Sequence, residues 1–222
     1  MEVPTPQKTT DVAKSTVVPV SIVKKSIDEK YFTGSKPLIA GSSVLVKEAN
    51  KYIEQKIADF KTSAGVDVPE MREKFGADSP TANYTIDIGA NYIKGNTTES
   101  IVINEYLYTG GANGNGLYKT FSASLKTGKI LSVEEIIKTD KQSAFLALIK
   151  KKLLVWRPEG STQSVVFENE VKDLTMGSLS NWSLDGTNLI IYFDKYAIGP
   201  GVLGPVAFPL TISTIKDFLV YN

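Results

Sequence analysis

"ANYTIDIGANYIKGNTTESIVINEYLYTGGANGNGLYKTFSASL", residues 82–125, decides the fold. Three segments within it, 82–96, 99–109 and 117–125, are rich in Tyr, Ile, Val and Thr and alternate apolar with polar side chains. That period of two belongs to strands with one buried face. "NTTE" supplies a turn between the first two segments, and "YTGGANGNG" (108–116) lies between the second and third. A strand precedes that glycine stretch and another follows it. The sequence therefore predicts three successive antiparallel strands, with the glycines in a long hairpin connection.

Upstream, "VVPVSIVKKSI" (17–27) reads as a first strand, after which "PLIAGSS" leads into a helix. From Ser43 to about Ser63, Leu45, Ala49, Tyr52, Ile53, Ile57 and Phe60 fall on one side of a helix, with charges mostly opposite. Gly65 is its expected stop. "VDVPEMREKFGADSPT" then reads as an exposed connection or a short irregular helix. Residues 1–16, rich in Pro, Thr and Lys, read as a tether or as a frayed terminus.

Downstream, Ser132 stands three residues before Glu135, the spacing of a reciprocal helix cap. A second helix is expected over 141–155, with Phe145, Leu148, Ile149 and Leu153 on one face. "NWSLDGTNLIIYFD" reads as a hairpin turning at Asp185 and Gly186. "YAIGPGVLGPVAFPL" closes the chain ahead of a short helix from Ser213 to Val220.

Composition excludes much chemistry. The chain has no His and no Cys, so neither imidazole or thiol catalysis nor a His/Cys zinc site can be built from it. A formal charge of +1 gives no overall field toward nucleic acid or anionic lipid. No run of about 18 apolar residues occurs, so membrane association would require an anchor outside this chain. Glu134 and Glu135 are adjacent and point apart on a helix, a poor arrangement for a glycosidase pair. Asp87, Asp185 and Asp194 have no catalytic spacing and read as surface or turn residues, and Lys150, Lys151 and Lys152 read as a solvated helix end. No catalytic residue, metal site or cofactor is expected.

"YTGGANGNG", "FSASLKTGKILSVEEII" and "LIIYFDKYAIGPGVLGPVAFPL", in this order, resemble the PdaC/RsiV-like extracytoplasmic domain of lysozyme-sensing anti-sigma factors and peptidoglycan deacetylases, much of it known only as a domain of unknown function. The N-terminal strand, Pro37 with Leu38 and Ile39, and the long helix fit the same pattern, so the resemblance spans about residues 17–220. The chain departs from it at Asn113, where the family usually has His, and at Gly201, Val202 and Leu203, where it usually has a second Tyr and an Ala. An Asn keeps hydrogen-bonding capacity but neither titrates nor ligates as imidazole does.

Gly110, Gly111, Gly114 and Gly116 permit positive φ and close backbone approach, which suits a wide hairpin and equally a loop that contacts a ligand. A phosphate cradle is disfavoured, because a strand and not a helix follows. Tyr106, Tyr108, Tyr118, Tyr192 and Tyr196 gather around this hairpin and the last segment, either packing into a sheet or forming a recognition surface. The candidate binding set is Tyr108, Thr109, Gly110, Gly111, Asn113, Asn115 and Tyr196.

The expected fold is α+β: a mainly antiparallel sheet, two longer helices and a short C-terminal one, in two closely packed subdomains, 17–98 and 99–222. The resemblance implies a non-enzymatic, extracytoplasmic envelope module that binds peptidoglycan fragments or a wall-directed protein such as lysozyme. A spacer or assembly domain of an envelope protein, or a carboxylate-based hydrolase or a transferase that draws only on carboxylates, Ser, Lys and Tyr, is the alternative.

Overall fold

The structure, a computed structural model, describes residues 19–220. The tether at 1–16 and the first two residues of the strand expected at 17–27 lie outside the described residues. The fold is α+β, built on a five-stranded sheet and a three-stranded sheet, the strands of each lying side by side in chain order.

β1 (Ser21–Glu29) pairs antiparallel with β2 (Phe32–Ala40). The sequence reading missed β2, because Gly34 and Pro37 interrupt its strand signature. Pro37 is tolerated because β3 pairs with β2 only as far as Ser35, so beyond that point β2 has a single neighbour. The β2 to β3 pairing is parallel, and parallel neighbours need a long crossover. Helix α1 (Val44–Phe75) provides it and covers one face of the sheet.

Ser43 caps α1, accepting the Val46 N–H at 3.3 Å. The helix does not stop at Gly65; it continues through Gly65 and Pro69 to Phe75. In a helix interior these two residues cost about 1 and 3 kcal/mol relative to Ala. Against that, Phe60, Ala64 and Val68 carry the buried stripe onward at four-residue spacing, and Met71 packs beside it. Burying Val68 alone is worth about 1.5–3 kcal/mol. Packing on Tyr84 and Phe32 therefore decides the length, and the stop falls at Gly76, with φ +93° and its N–H on the Arg72 carbonyl.

The three expected strands follow as β3 (Tyr84–Lys94), β4 (Thr98–Tyr108) and β5 (Asn115–Ser124), antiparallel along their length. The boundary expected between 98 and 99 falls inside the β3–β4 hairpin, whose strands pair from Thr85 to Lys94, so the break cannot lie there. The buried side chains divide instead between Ile130 and Leu131.

The second core is enclosed by α2 (Val133–Ile136), α3 (Gln142–Leu154), α4 (Glu168–Asp173), β6 (Trp182–Leu184), β7 (Asn188–Phe193), β8 (Val206–Thr211) and α5 (Ile212–Ile215). Glu135 accepts the Ser132 N–H at 2.9 Å, as the capping spacing predicts. Asp185 turns the β6–β7 hairpin by accepting the N–H groups of Thr187 and Asn188. Pro205 and Pro209, flanking and interrupting β8, mask its strand pattern; as an edge strand it tolerates Pro209 while Val206, Phe208 and Leu210 point inward. The helix expected over 213–220 is a single turn, α5, followed by a turn that brings Leu219 beside Ile137.

The two halves are joined by polar stitching along β5. Asn181 accepts the Thr120 N–H at 3.1 Å and donates to the Tyr118 carbonyl at 2.9 Å, as a neighbouring strand would. Asp194 accepts the Tyr118 N–H at 2.6 Å, and the Lys195 N–H donates to the Gly116 carbonyl at 2.9 Å.

Candidate functional site

Strand alternation sorts the large sheet into two faces. Ile86, Ile88, Ile101 and Ile103 face α1. The register sets Asp87 opposite Tyr106, Gly89 opposite Asn104, and Asn91 opposite Val102, with Tyr118 and Gly116 next to Asn104 and Tyr106 on β5. These residues face away from α1. The second half covers only one end of this face, where Ser122 donates to the Trp182 carbonyl at 2.8 Å.

The uncovered part is a groove of two adjoining depressions that share Asn104 and Tyr106. The inner one, about 420 Å³, is bordered by Asn91, Val102, Tyr118, Tyr192 and Pro205. The outer one, about 380 Å³, is bordered by Lys24, Ser35, Asp87 and Gly89. Missing side chains shape it. A Cβ on Gly89 would stand 2.6 Å from the Asn104 amide oxygen, one on Gly114 would stand 2.3 Å from the Tyr106 ring, and one on Gly116 would stand 2.8 Å from Pro205.

The groove carries rings and amides and little charge. Tyr118 and Tyr192 pack with ring centroids 4.9 Å apart, and the Tyr192 hydroxyl is within 2.9 Å of Ser183 Oγ. Burial raises the pKa of both phenols, so both are neutral donors near pH 7. Glu105 borders the groove, but its fully buried carboxylate turns to α1, where the Tyr52 hydroxyl donates to it at 2.5 Å and Lys56 Nζ lies 3.2 Å away. Asp87 accepts from Ser35 Oγ at 2.6 Å. Among the described residues there is no group of three or more side chains spaced to hold a metal ion.

The glycine stretch borders this groove through Gly116, and the Tyr106 ring lies against its Gly114. Of its four glycines only Gly110 has positive φ, +83°, and a Cβ there would meet the Thr81 carbonyl at 2.1 Å. Thr109, Gly111, Asn113 and Asn115 are exposed, and Tyr108 is half-buried opposite Thr85 at the end of β4. Tyr196 is 56 % exposed, holds φ +72°, and rests its ring on Gly201. Lys195 links it to the hairpin: its Nζ donates to the Gly114 carbonyl at 2.7 Å and sits 5.1 Å from the Tyr196 ring centre.

Lys195 thus ties Tyr196 to the hairpin at Gly114, outside the candidate set, while Gly110 packs on Thr81; none of the seven candidate residues is among those bordering the groove. Asn91, Asn104 and Pro205 were not singled out in the sequence. The signal for Asn104 was available, since it stands between Ile103 and Glu105 in an alternating strand and so on the face opposite the core.

Comparison with known proteins agrees with this architecture. Residues 134–213 match the family described as "Protein of unknown function (DUF3298)". The peptidoglycan-N-acetylmuramic acid deacetylase PdaC of Bacillus subtilis (strain 168) is 29% identical over 126 residues, which cover 55% of this chain and 26% of that protein. The chain thus spans about a quarter of the curated relative it matches. A DUF3298 family member from Bacteroides fragilis superposes with TM-score 0.57 at 16% identity, over 93% of this chain and 95% of that one. Another, from Pseudomonas aeruginosa PAO1, gives 0.55 at 12% identity, over 91% and 94%. The chain therefore carries a DUF3298 match across its second core, shares the fold of two solved DUF3298 proteins, and is consistent with a PdaC-like domain of unknown function.

Proposed function

We propose that this chain is a non-enzymatic, extracytoplasmic module of a bacterial envelope protein and holds cell-wall glycan in the groove on the open face of the five-stranded sheet. The observation that carries this reading is the groove itself, where the amides of Asn91 and Asn104 and the ring of Tyr106 converge on an uncovered sheet face beside Val102 and Pro205. Sugars present hydroxyl and acetamido groups at their edges and apolar C–H faces. Amides answer the first, and aromatic rings the second.

Two further points support it. The matching relative is named for acting on peptidoglycan, and this chain spans only part of it. Of the two carboxylates beside the groove only Asp87, hydrogen-bonded to Ser35, faces it, while Glu105 turns to α1, an arrangement that offers no acid and base pair to a glycosidic bond.

Co-sedimentation with insoluble peptidoglycan tests the proposal. The parent is expected in the pellet and Asn104→Ala in the supernatant, with circular dichroism showing both folded. A parent that stays in the supernatant overturns it.

A second reading, capture of a wall-directed protein such as lysozyme, is favoured by the rim. Tyr196 is 56 % exposed and Val202 92 %, side by side around Gly201 next to the hairpin, and exposed aromatic and aliphatic side chains commonly anchor protein partners.

A further inference from the structure

Building on the wall-glycan reading, we infer that the groove is a two-subsite cleft for a linear, N-acetylated glycan strand, with Tyr106 as the divider between subsites. Asn104 and Tyr106 border both depressions. Each depression, at about 380 or 420 Å³, falls at the small end of ligand pockets, roughly 300–1,000 Å³, so neither alone accommodates a long strand. The two meet at Asn104 and at the Tyr106 side chain, which is 47 % exposed.

The subsites differ in chemistry. The inner one presents Asn91 and Asn104 beside Val102, Ile93 and Pro205, while Glu105 turns its carboxylate away. An acetamido group fits that lining: its N–H and C=O meet side-chain amides and its methyl meets the apolar floor. The outer subsite adds Lys24 and Asp87, charges the inner one lacks, and can take a neighbouring unit bearing hydroxyl or carboxylate groups.

The position of Tyr106 is built by the glycine hairpin. Its ring occupies the space of an absent side chain at Gly114, whose carbonyl is held by Lys195 Nζ at 2.7 Å. The hairpin glycine most important for binding is therefore Gly114, acting through the ring it seats.

The test is titration calorimetry with peptide-free glycan strands of two, four and six sugars prepared from peptidoglycan. In the parent, affinity rises about tenfold or more from two sugars to four, because the second subsite adds contacts at little further ordering cost. Tyr106→Ala retains weak disaccharide binding and loses the gain with length, whereas Tyr106→Phe, which keeps the ring, retains it. Chemical de-N-acetylation of the strands removes most of the affinity in all variants. Equal affinity for two and four sugars in the parent overturns the two-subsite inference and leaves the wall-glycan reading standing; binding of no strand overturns both. A length gain that survives in folded Tyr106→Ala overturns the role given to Tyr106. Should that variant not fold, Gly114→Ala, which displaces the same ring, is read in its place, and an undiminished length gain there overturns that role equally.

Discussion

Tyr106 lies where a side chain on Gly114 would be: a Cβ at Gly114 would stand 2.3 Å from the Tyr106 Cζ and 2.5 Å from its hydroxyl. The obstructing atoms are the far end of a half-exposed side chain, not backbone. Gly114→Ala should therefore swing the ring aside at little cost, with stability changing by about 0.5 kcal/mol or less. Binding to peptidoglycan strands should fall about tenfold, the scale of losing one well-placed anchor. Denaturant melts and calorimetry on the same preparation check both halves. A large loss of stability would show that the ring cannot move.

Gly110 presents the opposite case. Its φ is +83° and the obstructing atom is the Thr81 carbonyl oxygen, 2.1 Å from a Cβ built there. Backbone strain and backbone collision then act together, and Gly110→Ala should cost about 1–3 kcal/mol. Gly111, exposed and without positive φ, should accept alanine within about 0.5 kcal/mol. Thermal melts of the two variants check the contrast.

Those two glycines show how far the sequence could be read. Their density marked a hairpin, but why each is glycine depends on cross-strand neighbours and on Thr81, which no local pattern reveals. Strands β3, β4 and β5 were legible because β-formers alternate there on both sides of Gly89 and from Leu117 onward, with no proline among them. β2 and β8 were not, since Pro37 and Pro209 argue against strands, and only their edge-like positions make those prolines harmless. The same holds for α1, where Gly65 and Pro69 marked an end that burial of Ala64 and Val68 overrides. The groove depends on which end of the sheet face the second half leaves open, and that is a tertiary fact.

Tyr52 gives the structure a sign at alkaline pH. Burial chiefly, and then its hydrogen bond to Glu105, raise its pKa far above the usual tyrosine value. In the unfolded chain it ionises near 10, so above that pH the folded state binds more protons than the unfolded one, and stability falls as pH rises. This contribution is complete below pH 10. Tyr52→Phe should lower stability at neutral pH, by leaving the Glu105 carboxylate with Lys56 alone, and should flatten the alkaline limb. Urea melts across the alkaline range check it; an unchanged slope would remove Tyr52 from the account.

Tyr196 holds φ +72°, alone among the described residues other than glycine in having positive φ. A left-handed backbone costs a residue with a Cβ about 1–2 kcal/mol. Its ring is more than half exposed and rests on Gly201, so packing returns only part of that cost. Tyr196→Gly relieves the strain while losing the ring contact and adding chain entropy to the unfolded state, and these effects should leave stability within about 1 kcal/mol of the parent. A position that is strained, exposed and nearly neutral for stability is one expected to be held for contact with a partner. On the rim reading, Tyr196→Gly and Val202→Ser should each weaken lysozyme binding in calorimetry while leaving peptidoglycan co-sedimentation unchanged, and Asn104→Ala should do the reverse. If Tyr196→Gly instead unfolds the protein by several kcal/mol, the ring is a structural fastener of the 199–204 loop, and the partner surface lies elsewhere.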